Sequence, residues 1–274
     1  MKDFLRQQAN QATNELLKRS IVREYLQART LQVIQESGAF MNWAFLGGTA
    51  LRFLYSIPRY SEDLDFSVVN PDANHDFENT LRKIKSAFEA ENYGIGITLS
   101  PAKTVMSAFL NFSGLLYEMG ISPHRSEVFS IKIEIDTNPP PGAMTSTTII
   151  RRFVTLNILH YNKASLFAGK LHAILSRQYT KGRDLYDLVW FLSDRTWPGP
   201  NLELLNATLK QIQWKGPLIT RDNIQDVFLT RITHLRWDNV SKDLQPFIER
   251  PKDLALITQA NCIKLLQDYK PSYT

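Results

Sequence analysis

The chain has 274 residues, 43% hydrophobic and 22% charged, with a formal net charge of +5 and a pI near 9.2. That length can bury a substantial core in one large or two modest domains, and the composition is that of a globular chain rather than a disordered one. The single cysteine, Cys262, excludes an internal disulfide and suits a reducing cytoplasm. No run reaches the roughly 18 to 20 apolar residues of a membrane-spanning helix. The amino terminus is polar throughout and lacks the apolar core of a signal peptide. The basic balance permits nucleic-acid contact without demanding it.

Residues 1–37 carry apolar positions at helical spacing, and Gly38 is a plausible stop. Residues 41–48 read as a first core strand, followed by a short helix from Thr49 to Tyr55, with Thr49 well placed near its start and Pro58 beyond its end. The Gly47-Gly48 pair between them leaves backbone bare enough for a triphosphate to approach N–H groups at a helix start. A second strand then carries Asp63-Leu64-Asp65. The period of two projects both carboxylates to one side and sends Leu64 and Phe66 to a core. Parallel carboxylates repel unless a cation lies between them, and Mg²⁺ takes one or two carboxylates plus substrate phosphates. Arg52 and Arg59 can either steady a triphosphate or pair with Glu62 or Asp63.

Phe77, Leu81, Ile84 and Phe88 define another helix, and residues 95–99, 104–112 and 128–135 read as strands with a loop excursion over 114–126. The alternation Ile131-Lys132-Ile133-Glu134-Ile135-Asp136 sends three isoleucines to one face and Lys132, Glu134 and Asp136 to the other. A surface strand looks the same. Pro139-Pro140-Pro141-Gly142 is a rigid break, residues 145–148 a polar connector, and residues 153–159 an apolar strand. His75 and His124 are isolated, so zinc is not expected.

The stretch from Lys163 to Trp190 holds an apolar stripe of Phe167, Leu171, Ile174 and Leu175, with Lys170 and Arg177 beside it. Asp184 opens the next helix, where a carboxylate can cap free N–H groups or act in a site. Three further helical stretches follow, at 202–212, 222–232 and 251–266. Arg231, His234, Arg236 and Trp237 combine cations with an aromatic ring, a grouping able to grip phosphate or to end a helix.

The order glycine pair, helical spacer, Asp-x-Asp resembles the signature of the DNA polymerase β-like nucleotidyltransferase superfamily. More narrowly, GGTALR followed by RYSEDLDF, with KLxAxxxR and RDxxD downstream, resembles the AbiEii/AbiGii toxin family, which includes the MenT-type tRNA-modifying toxins. The resemblance implies an α+β fold, a polymerase β-like core of mixed sheet flanked by helices, with a helical C-terminal lobe. The core with its N-terminal helices is expected over residues 1–160 and the lobe over 161–274, contributing Lys170 and Asp184 to the site. Two Mg²⁺ ions are expected on Asp63, Asp65 and a third acid, Glu134 or alternatively Asp136. An NTP substrate would lie against Gly47, Gly48 and Thr49, steadied by Arg59 and Lys170, with Asp63, Asp65, Lys170 and Asp184 in catalytic roles. The implied setting is a cytoplasmic toxin–antitoxin or phage-defence pair with a cognate antitoxin protein, the toxin moving NMP onto an RNA acceptor, first among them the tRNA 3′ end. A non-catalytic nucleotide- or RNA-binding module, and an enzyme with a small-molecule acceptor, are the alternatives.

Overall fold

The computed structural model describes residues 2–73, 75–100, 104–270 and 272. The chain divides into two compact units. The first comprises Met1–Ser56, Tyr60–Pro139 and Ser146–His160; the second comprises Ile57–Arg59, Pro140–Thr145 and Tyr161–Thr274.

The first unit begins with helices α1 (Lys2–Asn10) and α2 (Glu15–Glu36). It then runs through β1 (Trp43–Leu46), α3 (Gly47–Tyr55), β2 (Leu64–Val68), α4 (Phe77–Ala90), β3 (Ile95–Ser100), β4 (Val105–Ser113), the single turn α5 (Leu115–Glu118) and β5 (Val128–Asp136). A last pair, β6 (Thr145–Arg152) and β7 (Val154–Tyr161), completes a seven-stranded sheet in the order β3-β4-β5-β2-β1-β7-β6. The sheet is mixed: β2 lies parallel to β5 and antiparallel to β1, while β4 lies antiparallel to β5.

One sheet face is apolar because β1, β2, β4 and β5 contribute residues of matching parity. Leu64, Phe66, Ile131, Ile133, Ile135, Ala108, Leu110 and Phe112 are all buried, and Trp43 and Phe45 add rings that meet Phe66 at centroid distances of 5.6 and 5.3 Å. Truncating any one of these large side chains to alanine costs roughly 2–5 kcal/mol. The other parity places Asp65, Ser67, Ser107, Lys132, Glu134 and Asp136 together on the opposite face. Helix α2 is amphipathic in an unusual way, with Glu24, Gln27 and Thr30 buried among its apolar residues. Glu24 accepts from Arg52 at 2.6 Å and pairs with Arg152 at 2.7 Å. Gln27 Nε2 donates to the carbonyls of Ser61 and Glu62, at 3.1 and 2.9 Å, and so anchors the chain as it enters β2.

The second unit is helical: α6 (Lys163–Ser176), α7 (Gly182–Ser193), α8 (Leu202–Gln211), α9 (Ile224–Thr233), α10 (Val240–Leu244) and α11 (Gln259–Gln267). Asn162, Asn201 and Thr258 cap α6, α8 and α11 by accepting backbone N–H groups, as their positions before apolar runs predict. Phe167 of α6 stacks on Phe191 of α7 with centroids 4.5 Å apart, and Trp197 meets Phe191 at 4.9 Å. These rings form the unit's core.

Local differences from expectation have simple causes. Helix α3 begins at Gly47, and the first strand narrows to four residues. The polar connector over 145–148 belongs to strand β6, whose side chains are nearly all exposed, so no alternation of burial marked it. The helix expected over 251–266 breaks into a 3₁₀ turn at Pro251–Leu256 and α11, with Thr258 restarting the helix as its cap.

Candidate active site

Two charged clusters stand out, one in each unit. The first is built on the strands of the sheet. Parallel pairing of β2 with β5 sets Asp65 level with Glu134 and Ser67 level with Asp136. Asp63 lies one residue ahead of β2, two positions before Asp65. Its backbone is fixed by Thr49, a fully buried residue whose Oγ1 donates to the Asp63 carbonyl. Thr49 thus ties α3 to β2 instead of capping its own helix. Thr49, expected against the triphosphate, has its hydroxyl engaged in this bond.

Gly47 starts α3 with φ +81°, a left-handed conformation that suits glycine. It is also where the Asp65 carboxylate rests: a Cβ on Gly47 would overlap Asp65 Oδ2 and come within 3.1 Å of its Cγ. The glycine is required on both counts. The bare shelf read from the sequence is therefore in contact with the second acid of the Asp-x-Asp pair.

Lys132 is the cation of this cluster. Its Nζ lies 2.6 Å from Glu134 Oε1, and both side chains are 30% exposed. The hydrogen bond to Glu134 raises the Lys132 pKa above its ordinary value, and the charges of Glu134, Asp63 and Asp65 push the same way. Asp63, Asp65 and Glu134 thus all act on one ammonium. Asp136 differs: it is half-buried, burial raises its carboxyl above the usual range, and its Oδ1 accepts from the Asn138 N–H at 3.0 Å.

Among the described residues no three acids, imidazoles or thiols close into a ready-made metal cage. The donor chemistry nevertheless fits a hard divalent cation. The groups are carboxylates on rigid strand positions, without thiol or imidazole, and they have already drawn a positive charge among them.

The second cluster sits on α6 and α7 with one arginine from the segment Ile57–Arg59. Asp187 is completely buried and receives Arg59 in a two-point pair, Nε to Oδ1 and Nη2 to Oδ2, both at 2.6 Å. Arg59 itself is 1% exposed. Arg59, expected to steady the triphosphate, is thus engaged in this ion pair. Lys170 Nζ lies 2.8 Å from Asp187 Oδ2 and 3.4 Å from Asp184 Oδ1, and Arg177 pairs with Asp184 Oδ2. Burial alone would raise the Asp187 carboxyl, but the charges and hydrogen bonds of Arg59 and Lys170 outweigh it and hold the pKa below the ordinary value. Asp184 is buried in the first turn of α7. It does not cap that helix; Asp243 does, accepting from the Gly182 N–H at 2.5 Å.

Sequence reasoning missed the Arg59–Asp187 pair and the counter-charge role of Lys132. The first joins residues 128 positions apart and carries no local signal. The second was within reach, since alternation already put Lys132 beside Glu134. Arg231 of the Arg231–Trp237 grouping takes the helix-end role, donating to the carbonyls of Ile174 and Arg177 at the end of α6, at 2.9 and 2.6 Å.

The fold of the chain is similar to that of solved nucleotidyltransferase-type structures. MenT4, the nucleotidyltransferase toxin Rv2826c from Mycobacterium tuberculosis H37Rv, matches over 98% of this chain and 90% of its own, at 15% identity and a TM-score of 0.63. JHP933 from Helicobacter pylori matches over 91% of this chain and 92% of its own, at 20% identity and a TM-score of 0.52. No curated protein sequence matches. Residues 29–258 match the family described as nucleotidyl transferase AbiEii toxin, type IV TA system, and the chain belongs to that family. No helix among the described residues is long and apolar enough to cross a membrane.

Proposed function

We propose that this protein is the cytoplasmic toxin of a toxin–antitoxin pair with a role in phage defence, and that it transfers NMP from an NTP to an RNA acceptor, the tRNA 3′ end first among them. In that reaction a hydroxyl oxygen of the acceptor bonds to the α-phosphorus as its proton passes to solvent, the bond from that phosphorus to the bridging oxygen breaks, and pyrophosphate leaves with the electron pair. The observation that carries the reading is the level pairing of Asp65 with Glu134, with the Asp65 carboxylate seated against Gly47. A family of nucleotidyl transferase toxins supplies the reaction class.

Asp63, Asp65 and Glu134 are the residues that would hold Mg²⁺, two ions by the reading adopted here. Asp136 is the weaker candidate because it stands level with Ser67 and is engaged by the Asn138 N–H. When bound, such ions stabilise the entering and leaving oxygens of an in-line displacement. The chain's own residues do the rest. Gly47 and Gly48 admit the phosphates to the backbone N–H groups at the start of α3. Lys170 neutralises triphosphate charge as a compact ammonium, and Asp184 orients it. Arg59, with Asp187, positions that lysine rather than touching the nucleotide. Thr49 holds Asp63.

The test is to incubate the protein with Mg²⁺, each of four α-labelled NTPs in turn, and total RNA. Label recovered in RNA of tRNA length supports the proposal. Label on a small metabolite moves the acceptor to the small-molecule class. NTP binding without turnover, in the presence of RNA, makes the protein a binding module that acts through its partner.

A further inference from the structure

Lys132 has no part in the proposed transfer, although it is paired with one of the candidate metal-binding acids. Lys132 leaves β5 on the same face as Glu134, and its ammonium is 2.6 Å from that carboxylate. A lysine anchored on a strand beside a carboxylate does not diffuse away when a metal ion arrives, as a solvent cation does. It must release Glu134 and stay nearby. The next strand provides a second seat: Phe109, the cross-strand partner of Lys132, has its ring centroid 5.8 Å from the ammonium and is 37% exposed. A cation near an aromatic face retains part of the stabilisation it loses on leaving a carboxylate.

We propose that Lys132 is a resident counter-cation of Glu134, beside Asp63 and Asp65, and that it competes with a divalent ion for that carboxylate. It rests on the metal-binding reading of those acids. Two consequences follow from elementary electrostatics. Without metal, removing the ammonium takes from Glu134 its partner at 2.6 Å, which is destabilising. With metal, the same removal abolishes a competitor and a repulsive charge, so the ion binds more tightly. Partly exposed ion pairs contribute little individually, which sets the gain at roughly three- to tenfold in affinity.

The experiment is titration of the full-length protein with Mg²⁺ alone by calorimetry, in the wild type, Lys132→Met, Lys132→Gln and Lys132→Arg, with the melting temperature of each taken before and after metal. The expected result is tighter Mg²⁺ binding in both uncharged variants and near wild-type affinity in Lys132→Arg. The uncharged variants should also melt lower without metal and regain that loss with it. Wild-type binding that Lys132→Met and Lys132→Gln leave unchanged or weaken overturns the inference while leaving the metal reading intact. Absence of Mg²⁺ binding in every chain refutes the metal reading itself and takes this inference with it.

Discussion

The acidic cluster of the sheet and the ion-pair network of the helical unit use the same residue types to opposite ends. On the sheet, Asp63, Asp65 and Glu134 share one ammonium, and the Glu134 and Lys132 side chains are both 30% exposed. In the helical unit, Asp184 and Asp187 are held by Arg59, Lys170 and Arg177, and the carboxylates and Arg59 are almost wholly buried. The first cluster gathers three carboxylates and an ammonium at partly exposed strand positions; the second buries two carboxylates among three cations. Partly exposed carboxylates are open to a ligand of the opposite sign, whereas the buried Arg59–Asp187 pair is chiefly structural. Loss of an acid from the first cluster is thus expected to fall on turnover, and loss of Asp187 from the second on stability.

The largest effect should fall on turnover. Asp65→Asn is expected to lower nucleotidyl transfer by on the order of a hundredfold or more, with the fold retained in circular dichroism. Activity near wild type would detach Asp65 from the reaction. Asp187→Ala should do the reverse, destabilising the fold by roughly 3–5 kcal/mol by leaving Arg59 buried without its partner. Replacing both, as in Arg59→Met with Asp187→Leu, should recover much of that loss in a denaturant melt. A double variant no better than Asp187→Ala would show that the pair is not what stabilises this region.

Gly47→Ala links the two measures. The alanine must adopt a left-handed φ and displaces the Asp65 carboxylate, so stability should fall by about 1–3 kcal/mol, accompanied by a drop in turnover. If stability alone falls, the contact of Gly47 with Asp65 has no bearing on the reaction. Lys170→Ala should weaken NTP use, and Lys170→Ala with Asp184→Asn should lose less than the sum of the single changes because the two groups touch. Additive losses would separate their roles.

The smallest effect concerns pH. Because the Asp187 pKa is held below its unfolded value, this carboxylate contributes stability that is complete well above about pH 4. Protonation then favours the unfolded chain, so that contribution is lost as the pH falls through the depressed folded value. Acid melts of wild type and Asp187→Asn should converge below about pH 4; curves that stay parallel would argue against the assignment.

How much of this was legible in the sequence depends on range. Period-two alternation over Ile131–Asp136 and the Asp63-x-Asp65 spacing read correctly because strand geometry is local: knowing the parity of one residue fixes its neighbours. The level pairing of Asp65 with Glu134 was not readable, since register between strands about 70 residues apart is set by packing of the whole sheet. The same limit hid the destinations of Arg52 and Arg59. Each looked available for phosphate, yet Arg52 is buried against Glu24 of α2 and Arg59 against Asp187 of α7. Strand β6 was missed for a different reason: its side chains are exposed on both faces, so hydrophobic patterning had nothing to report.

The account turns on whether the strand-borne acids carry nucleotidyl transfer. The direct measurement is covalent transfer of α-labelled NTP to RNA in Mg²⁺, comparing wild type with Asp65→Asn and with wild type after EDTA. Labelled RNA from the wild type alone, with EDTA and the substitution each abolishing it, is the predicted outcome. Equal labelling by Asp65→Asn, or labelling that survives EDTA, contradicts it.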